Sequence, residues 1–276
     1  LRGVLIDKDE LYKHYVINQL SSYQIAEKYG CAATTIRNKL LRYNITPETQ
    51  EKFNQLSDLQ KDLVVGSMLG DGHLQKKNNL TLLTVSHCED QKEYANAKLQ
   101  IIRNLCNHED LYFLDRSRET DSKNRQDQYS FTTKSMSCLN TYFDLNIIET
   151  LNLLNDNSLT IWFLDDGYHN YPKGKNRNSF YELSISRFSL EEAEYAQEQF
   201  LEKFKVRPRL KHDPKWRKAD KTLVFSVYDS YRLSYLMKES QFGKLAKETM
   251  DYKLIHTVIL NRVVTPEKFT VPIKVG

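Results

Sequence analysis

Two stretches decide how this chain folds: LVVGSMLGDGHL, from Leu63 to Leu74, and LTIWFLDDGYHN, from Leu159 to Asn170. Each is an apolar run of helical length that stops at an acidic residue and a glycine, and Asp71 and Asp166 stand 95 positions apart. One such ending is unremarkable, since Asp-Gly is a common turn and many core helices close on glycine. A carboxylate at the mouth of a buried helix is nevertheless costly unless something uses it. Two copies, each heading the same series of elements, ask for a functional explanation.

The series is legible downstream of both. HLQKKNNLTLLTVSHC reads as two strands around a Lys-Lys-Asn-Asn turn, and YHNYPKGKNRNSFYELSISRF as two strands around Pro-Lys-Gly-Lys. Amphipathic helices follow, EDQKEYANAKLQIIRNL and SLEEAEYAQEQFLEKF, with aligned Lys-Glu-Tyr-Ala and Ala-Glu-Tyr-Ala cores. A second strand pair comes next in each half, LYFLDRSRE with QYSFTTKS and RPRLKHD with TLVFSVYD, and helical material closes both. The expectation is an α+β fold in which an αββαββα unit occurs twice, with antiparallel sheets. The predicted organisation is a small all-α domain over 1–45, a linker over 46–58, repeats over 59–156 and 157–254, and a tail over 255–276.

The small domain reads as a helix-turn-helix. KDELYKHYVINQL presents Leu11, Tyr15 and Ile17 to Leu20 as apolar positions. SSYQIAEKYG follows, with Ser21 or Ser22 as N-cap, Ile25, Ala26 and Tyr29 on one face, and Gly30 closing it. The next helix, within CAATTIRNKLLRYNI, turns Ile36, Leu40 and Leu41 inward and leaves Thr34, Arg37 and Asn38 outward. Such a unit lays its second helix in the major groove of DNA, where those three can reach base edges or phosphates.

Composition sets the frame. Hydrophobic residues make up 40% and charged residues 28% of 276, the balance of a soluble globular protein of one or two domains. No apolar run approaches the ~18 residues of a spanning helix, and no signal segment opens the chain, so an intracellular location is expected: bacterial or phage cytoplasm, or an organelle. The four cysteines lack zinc or disulfide spacing and read as reduced thiols. Net charge is only +4, but basic residues cluster. Arg209, Lys211, Lys215 and Arg217 fall in one cluster, Arg116, Arg118 and Arg125 in a second, Lys173, Lys175 and Arg177 in a third, and Lys76 and Lys77 occupy the first hairpin turn. On strand-like segments these are candidate phosphate and base contacts.

At the paired motifs the sequence resembles the LAGLIDADG homing endonucleases, in the single-chain form with two motifs. The nine positions are Val64 to Gly72 and Leu159 to Gly167, with the acidic eighth position and the final glycine present in both and the WFLDDG wording typical of the second motif. Ile161 departs from the family's small third residue, which predicts looser helix packing on that side; Leu69 and Leu164 stand where the family's name has an acid. The resemblance implies two motif helices packed at a pseudo-twofold axis through Gly66 and Gly70, with Asp71 and Asp166 side by side and facing DNA. It further implies Mg²⁺ or Mn²⁺ held by these carboxylates, with the backbone carbonyls of Gly70 and Asp165 as further ligands, since hard cations prefer oxygen. Lys134 and Lys253 match the family's active-site lysines, with Lys244 and Lys247 as rivals for the second.

The implied activity is metal-dependent cleavage of both strands of a long, asymmetric DNA target by a monomer that needs no membrane and no obligatory protein partner. An RNA maturase, a non-cleaving DNA-binding regulator on the same fold, and an unrelated helix-turn-helix transcription factor are the alternatives. A ββα-metal nuclease built around His169 lacks further histidine ligands at suitable spacing.

Overall fold

The computed structural model describes residues 6–18, 20–45, 55–77, 79–106, 108–115, 127–170, 179–212 and 221–255. The N-terminal helices α1 (Lys8–Tyr12), α2 (Ser22–Lys28) and α3 (Ala33–Arg42) enclose a core of their own, built on Leu11, Val16, Ile25, Ala26, Ile36 and Leu40. Ser21 caps α2 through a reciprocal capping box with Gln24, and Gly30 makes the turn at φ +60°, a region glycine enters without a Cβ penalty. Two inward assignments change. Leu41 is 69% exposed while Leu40 fills the core, and Val16 is buried in place of the exposed Ile17. Neighbouring helical residues point about 100° apart, and on α3, which buries a single narrow face, that rotation carries Leu41 away from the core that Leu40 fills.

The first repeat runs α4 (Asp58–Leu69), β1 (Gly72–Lys77), β2 (Leu80–Cys88), α5 (Lys92–Ile102), β3 (Tyr112–Leu114), β4 (Gln128–Thr132), α6 (Asn140–Phe143) and α7 (Ile147–Asn152). The second runs α8 (Asp156–Asp166), β5 (Gly167–Asn170), β6 (Phe180–Ser184), α9 (Leu190–Phe204), β7 (Arg209–His212), β8 (Lys221–Val224), α10 (Val227–Glu239) and α11 (Gln241–Ala246). Each builds a four-stranded antiparallel sheet, in orders β1-β2-β4-β3 and β5-β6-β8-β7, so the topology is duplicated strand for strand. The segment read as a strand through Ser226-Val227-Tyr228-Asp229 divides instead. The strand ends at Val224, and the Ser226 side chain accepts from the Asp229 N–H to cap α10.

Capping boxes start both motif helices, Ser57 with Gln60 on α4 and Asn155 with Ser158 on α8. Both helices are buried nearly all round, which explains why neither carries a polar stripe. They lie side by side in the same direction, and the residues that meet are 95 positions apart. Asp62 accepts from the Asn157 amide at 2.9 Å, Gly66 meets Ile161, and Gly70 meets Asp165. Contact between equivalent positions is what a twofold axis along the seam requires.

The expectation of looser packing at Ile161 is corrected here. A Cβ on Gly66 would come within 2.6 Å of the Ser158 carbonyl and 2.7 Å of the Ile161 Cβ, so the isoleucine fills the space its glycine partner leaves. One apolar core then runs through both repeats, from Leu63 and Tyr94 to Trp162, Phe163 and Tyr181. Among the described residues, no helix is long and apolar enough to cross a membrane.

Candidate active site and nucleic-acid interface

Where the two motif helices end, their eighth-position carboxylates emerge, Asp71 just after α4 and Asp166 on the last residue of α8. Asp71 keeps 41% of its side chain exposed. Partial burial, then the charge of Asp165, raises it above the ordinary carboxylate range. Asp166 is pushed up to about 7 by burial, then by Asp71, then by Asp165. The charge of Asp71 thus acts on Asp166 across the seam, and the buried Asp165 acts on both, so like charge and burial together disfavour the ionised forms.

Two cations from the second repeat close the helix ends. Lys253 Nζ donates to the carbonyls of Leu164 at 2.6 Å and Asp165 at 3.0 Å, and Arg187 donates to the carbonyl of Met68. Positive groups at helix C-termini answer the macrodipole and the last unpaired carbonyls. Arg187, Gly70, Asp166 and Ser184 to Ser186 line a cleft of about 210 Å³. Lys253 thus reaches the site, whereas its rival Lys244 pairs with Glu239 at 3.1 Å.

Lys134 lies elsewhere. Its Nζ donates to the Asn104 carbonyl, and burial lowers it to about 8, while the cations acting most strongly on Asp71 are Lys98, Lys253 and Arg187. The Asp165 carbonyl assigned as a metal ligand already accepts from Lys253. Gly70 is accounted for by packing, since a Cβ there would meet the Asp165 Cβ at 2.6 Å.

The sequence reading missed what lies beneath Asp71. The Asp165 carboxylate is fully buried and takes Lys98 Nζ on both oxygens at 2.6 and 2.8 Å, the Tyr94 hydroxyl at 2.8 Å and the Asp71 backbone N–H at 3.1 Å. Burial pushes Asp165 up, but the Lys98 ammonium and these hydrogen bonds outweigh it and hold its value below normal. His87 Nε2 sits 3.2 Å from Lys98 Nζ and Nδ1 sits 3.4 Å from Asp71 Oδ2; burial and then Lys98 push this imidazole down to about 3, so it is neutral.

Asp71, His87 and Asp165 bring donor atoms within 4.8 Å of one another. They do not make a cation site as a trio, because an ammonium already occupies both Asp165 oxygens and would repel a second positive charge. A signal for the network was present. Lys98 stands four residues from both Tyr94 and Ile102, on the buried stripe of α5, and His87 follows Leu83 and Val85 on the inward side of β2.

The strand register sorts the proposed DNA contacts. Leu74 and Leu83 pair on the core side of the first sheet, so Lys76, paired with Thr81, shares that side and lies over the Phe143 ring near Asp144. Lys77 shares the opposite, open face with Gln75 and His73. On the second sheet, Arg209 pairs with Val224 and Lys211 with Thr222, both on its open face. Thr34, Arg37 and Asn38 are all exposed on α3, with Arg37 stacked over Tyr23 at 5.0 Å. Arg116, Arg118, Arg125, Lys173, Lys175, Arg177, Lys215 and Arg217 lie outside the described residues.

The family model of the LAGLIDADG DNA endonuclease family matches residues 61–232, which is 172 of the 276 residues. This chain is a member of that family. Among curated proteins, the LAGLIDADG chain is 28% identical over 207 residues to uncharacterized protein MJ1098 of Methanocaldococcus jannaschii, a match covering 68% of this chain and 75% of that one. Among solved structures, it is similar to the homing endonuclease I-WcaI bound to its DNA recognition sequence, with TM-score 0.59 and 20% identity over 75% of this chain and 90% of that chain. It is also similar to I-DmoI in complex with DNA and Mn, with TM-score 0.42 and 18% identity over 65% of this chain and 96% of that chain. The likeness to I-WcaI establishes the shared fold.

Proposed function

We propose that this LAGLIDADG protein is a site-specific endonuclease that cleaves both strands of a long, asymmetric duplex. The observation that carries the reading is the pair Asp71 and Asp166. One carboxylate comes from each repeat, and the two sit at the ends of helices packed on the pseudo-twofold axis. Both are raised above the ordinary carboxylate range, Asp71 by burial and then Asp165, and Asp166 by burial, then Asp71, then Asp165. Such a pair fits hard divalent cations, which take carboxylate oxygens and keep part of their water shell. When bound, Mg²⁺ or Mn²⁺ would supply Lewis-acid polarisation of a phosphate and activation of water. Asp71 and Asp166 would hold the cations, and Lys253 and Arg187 would hold positive charge beside the scissile phosphates.

The open faces of the two sheets, with Lys77 on one and Arg209 and Lys211 on the other, would follow the major groove. Because the halves differ in sequence, the two half-sites should differ as well.

The test uses a duplex carrying the uninterrupted sequence that flanks the chain's own open reading frame. With Mg²⁺ the wild type should make a double-strand break. Asp71→Asn and Asp166→Asn should abolish that break yet bind the duplex in Ca²⁺, which positions an attacking water poorly. Full cutting by either variant, or binding by the wild type with no nick in Mg²⁺ or Mn²⁺, would overturn the proposal.

A further inference from the structure

We propose that Lys98 is a positioning residue that fixes Asp71 from two sides and so makes the two carboxylates of the site unequal. The inference rests on the nuclease reading above, but its geometry is independent of it. Lys98 has three N–H groups, and the structure gives each a partner: the two Asp165 oxygens and His87 Nε2. Through Asp165 it holds the acceptor for the Asp71 backbone N–H, across the seam from the other repeat.

Through His87 it sets a tautomer. Nε2 accepts from the ammonium, so in the neutral ring the proton sits on Nδ1, 3.4 Å from Asp71 Oδ2. The main chain of Asp71 is thereby tied to one buried cation with no exposed surface. Its carboxylate lies 3.4 Å from an Nδ1 that makes no hydrogen bond in this geometry and is poised to donate to it. The Tyr94 ring, 4.7 Å from Nζ, and its hydroxyl on Asp165 complete the cage.

The second repeat has no counterpart. Aligning the Tyr-Ala cores of α5 and α9 puts Gln199 opposite Lys98, and Gln199 turns to Glu202. The sheet registers Gly72 with Val85 and Gly167 with Leu183 put the apolar Ile185 opposite His87. The position equivalent to Asp165 is Gly70. The cations acting on Asp166 are instead Arg187 and Lys253, each bonded to main-chain carbonyls at the helix ends. The two halves of the site are therefore held differently: Asp71 by a buried network reaching across the seam, Asp166 by its place in α8 and by Lys253 on the carbonyls before it.

The experiment compares the full chain with Lys98→Met and with His87→Leu, which leaves the Lys98–Asp165 pair intact if the first variant does not fold. Nicking of each strand is followed separately on a duplex labelled at both ends, in Mg²⁺. Both variants should slow one strand by roughly 10- to 100-fold, the scale on which misplaced reacting groups act. They should slow the same strand, and Ca²⁺-supported binding should be unchanged. Equal slowing of both strands, to within about twofold, would reduce Lys98 to a stabilising residue and overturn the inference.

A second readout needs no cleavage. Imidazole ¹⁵N shifts of His87 in metal-free protein should report Nδ1–H in the wild type and change in Lys98→Met; an Nε2–H tautomer in the wild type would refute the scheme. Failure of the wild type to nick at all would strike the nuclease reading instead, and leave the nitrogen shifts to decide this one.

Discussion

Asp166 carries the clearest single-residue consequence of the site. Its folded value of about 7 lies above the ordinary 3.8 of a carboxylate, so between those limits the folded chain keeps a proton that the unfolded chain has released. Stability supplied by the protonated form is complete below about pH 4 and falls as pH rises toward 7. The melting temperature of metal-free wild type should therefore decline relative to Asp166→Asn across that window and level off above it. A difference of about 1 kcal/mol would move the midpoint by roughly 2–4 °C in a chain of this size. Saturating Mg²⁺ should narrow the decline by binding the ionised form. A pH-independent difference between the two proteins would count against the raised value.

At this scale the two carboxylates at the ends of the motif helices were legible because duplication marked them. Lys98 was not, because periodicity shows that a face is buried without showing which residue meets it across the seam, and the partner Asp165 lies 67 positions away. Lys76 was misplaced for a simpler reason. A run of two lysines gives no register, and the side each one faces follows from Leu74 pairing with Leu83.

Among elements, the contact between α4 and α8 decides the most. Alanine normally favours a helix over glycine by about 1 kcal/mol. At Gly66 the sign should reverse, because a Cβ would press on the Ser158 carbonyl and on Ile161. Gly66→Ala should destabilise the chain by about 1–3 kcal/mol in urea unfolding, as overpacking does. Ile161→Ala alone should cost about 2–5 kcal/mol through the cavity it leaves. The double variant should fall short of the sum by at least about 0.5 kcal/mol, since each change relieves the other. Strict additivity would mean that the two side chains do not share that space.

The elements themselves were largely readable, the helices from their apolar spacing, the strands from alternation and the first hairpin turn from its Lys-Lys-Asn-Asn residues. The caps at Ser57 and Asn155 start the motif helices slightly ahead of the expected repeat boundaries at 59 and 157. The boundary at Val224 was less so, because Phe225 to Tyr228 has strand-like composition and only the Ser226 cap diverts it into α10.

For the whole molecule, the separate core of the N-terminal helices makes a domain-scale test possible. If the exposed Thr34, Arg37 and Asn38 extend the DNA footprint, deleting residues 1–44 should weaken binding to long duplexes by roughly tenfold or more. The salt dependence of binding should become shallower, while cutting persists at high enzyme concentration. Unchanged affinity would remove these helices from the interface.

The complementary seam has a consequence for how such a chain could be taken apart. Gly66 against Ile161 and Gly70 against Asp165 are each a small residue facing a larger one. Two copies of the first half would meet glycine to glycine and leave a void. Two copies of the second would set isoleucine against isoleucine and one buried acid against another. Each surface is thus cut to its partner and not to its own copy, so a half expressed alone would have to repack this seam before it could pair with itself.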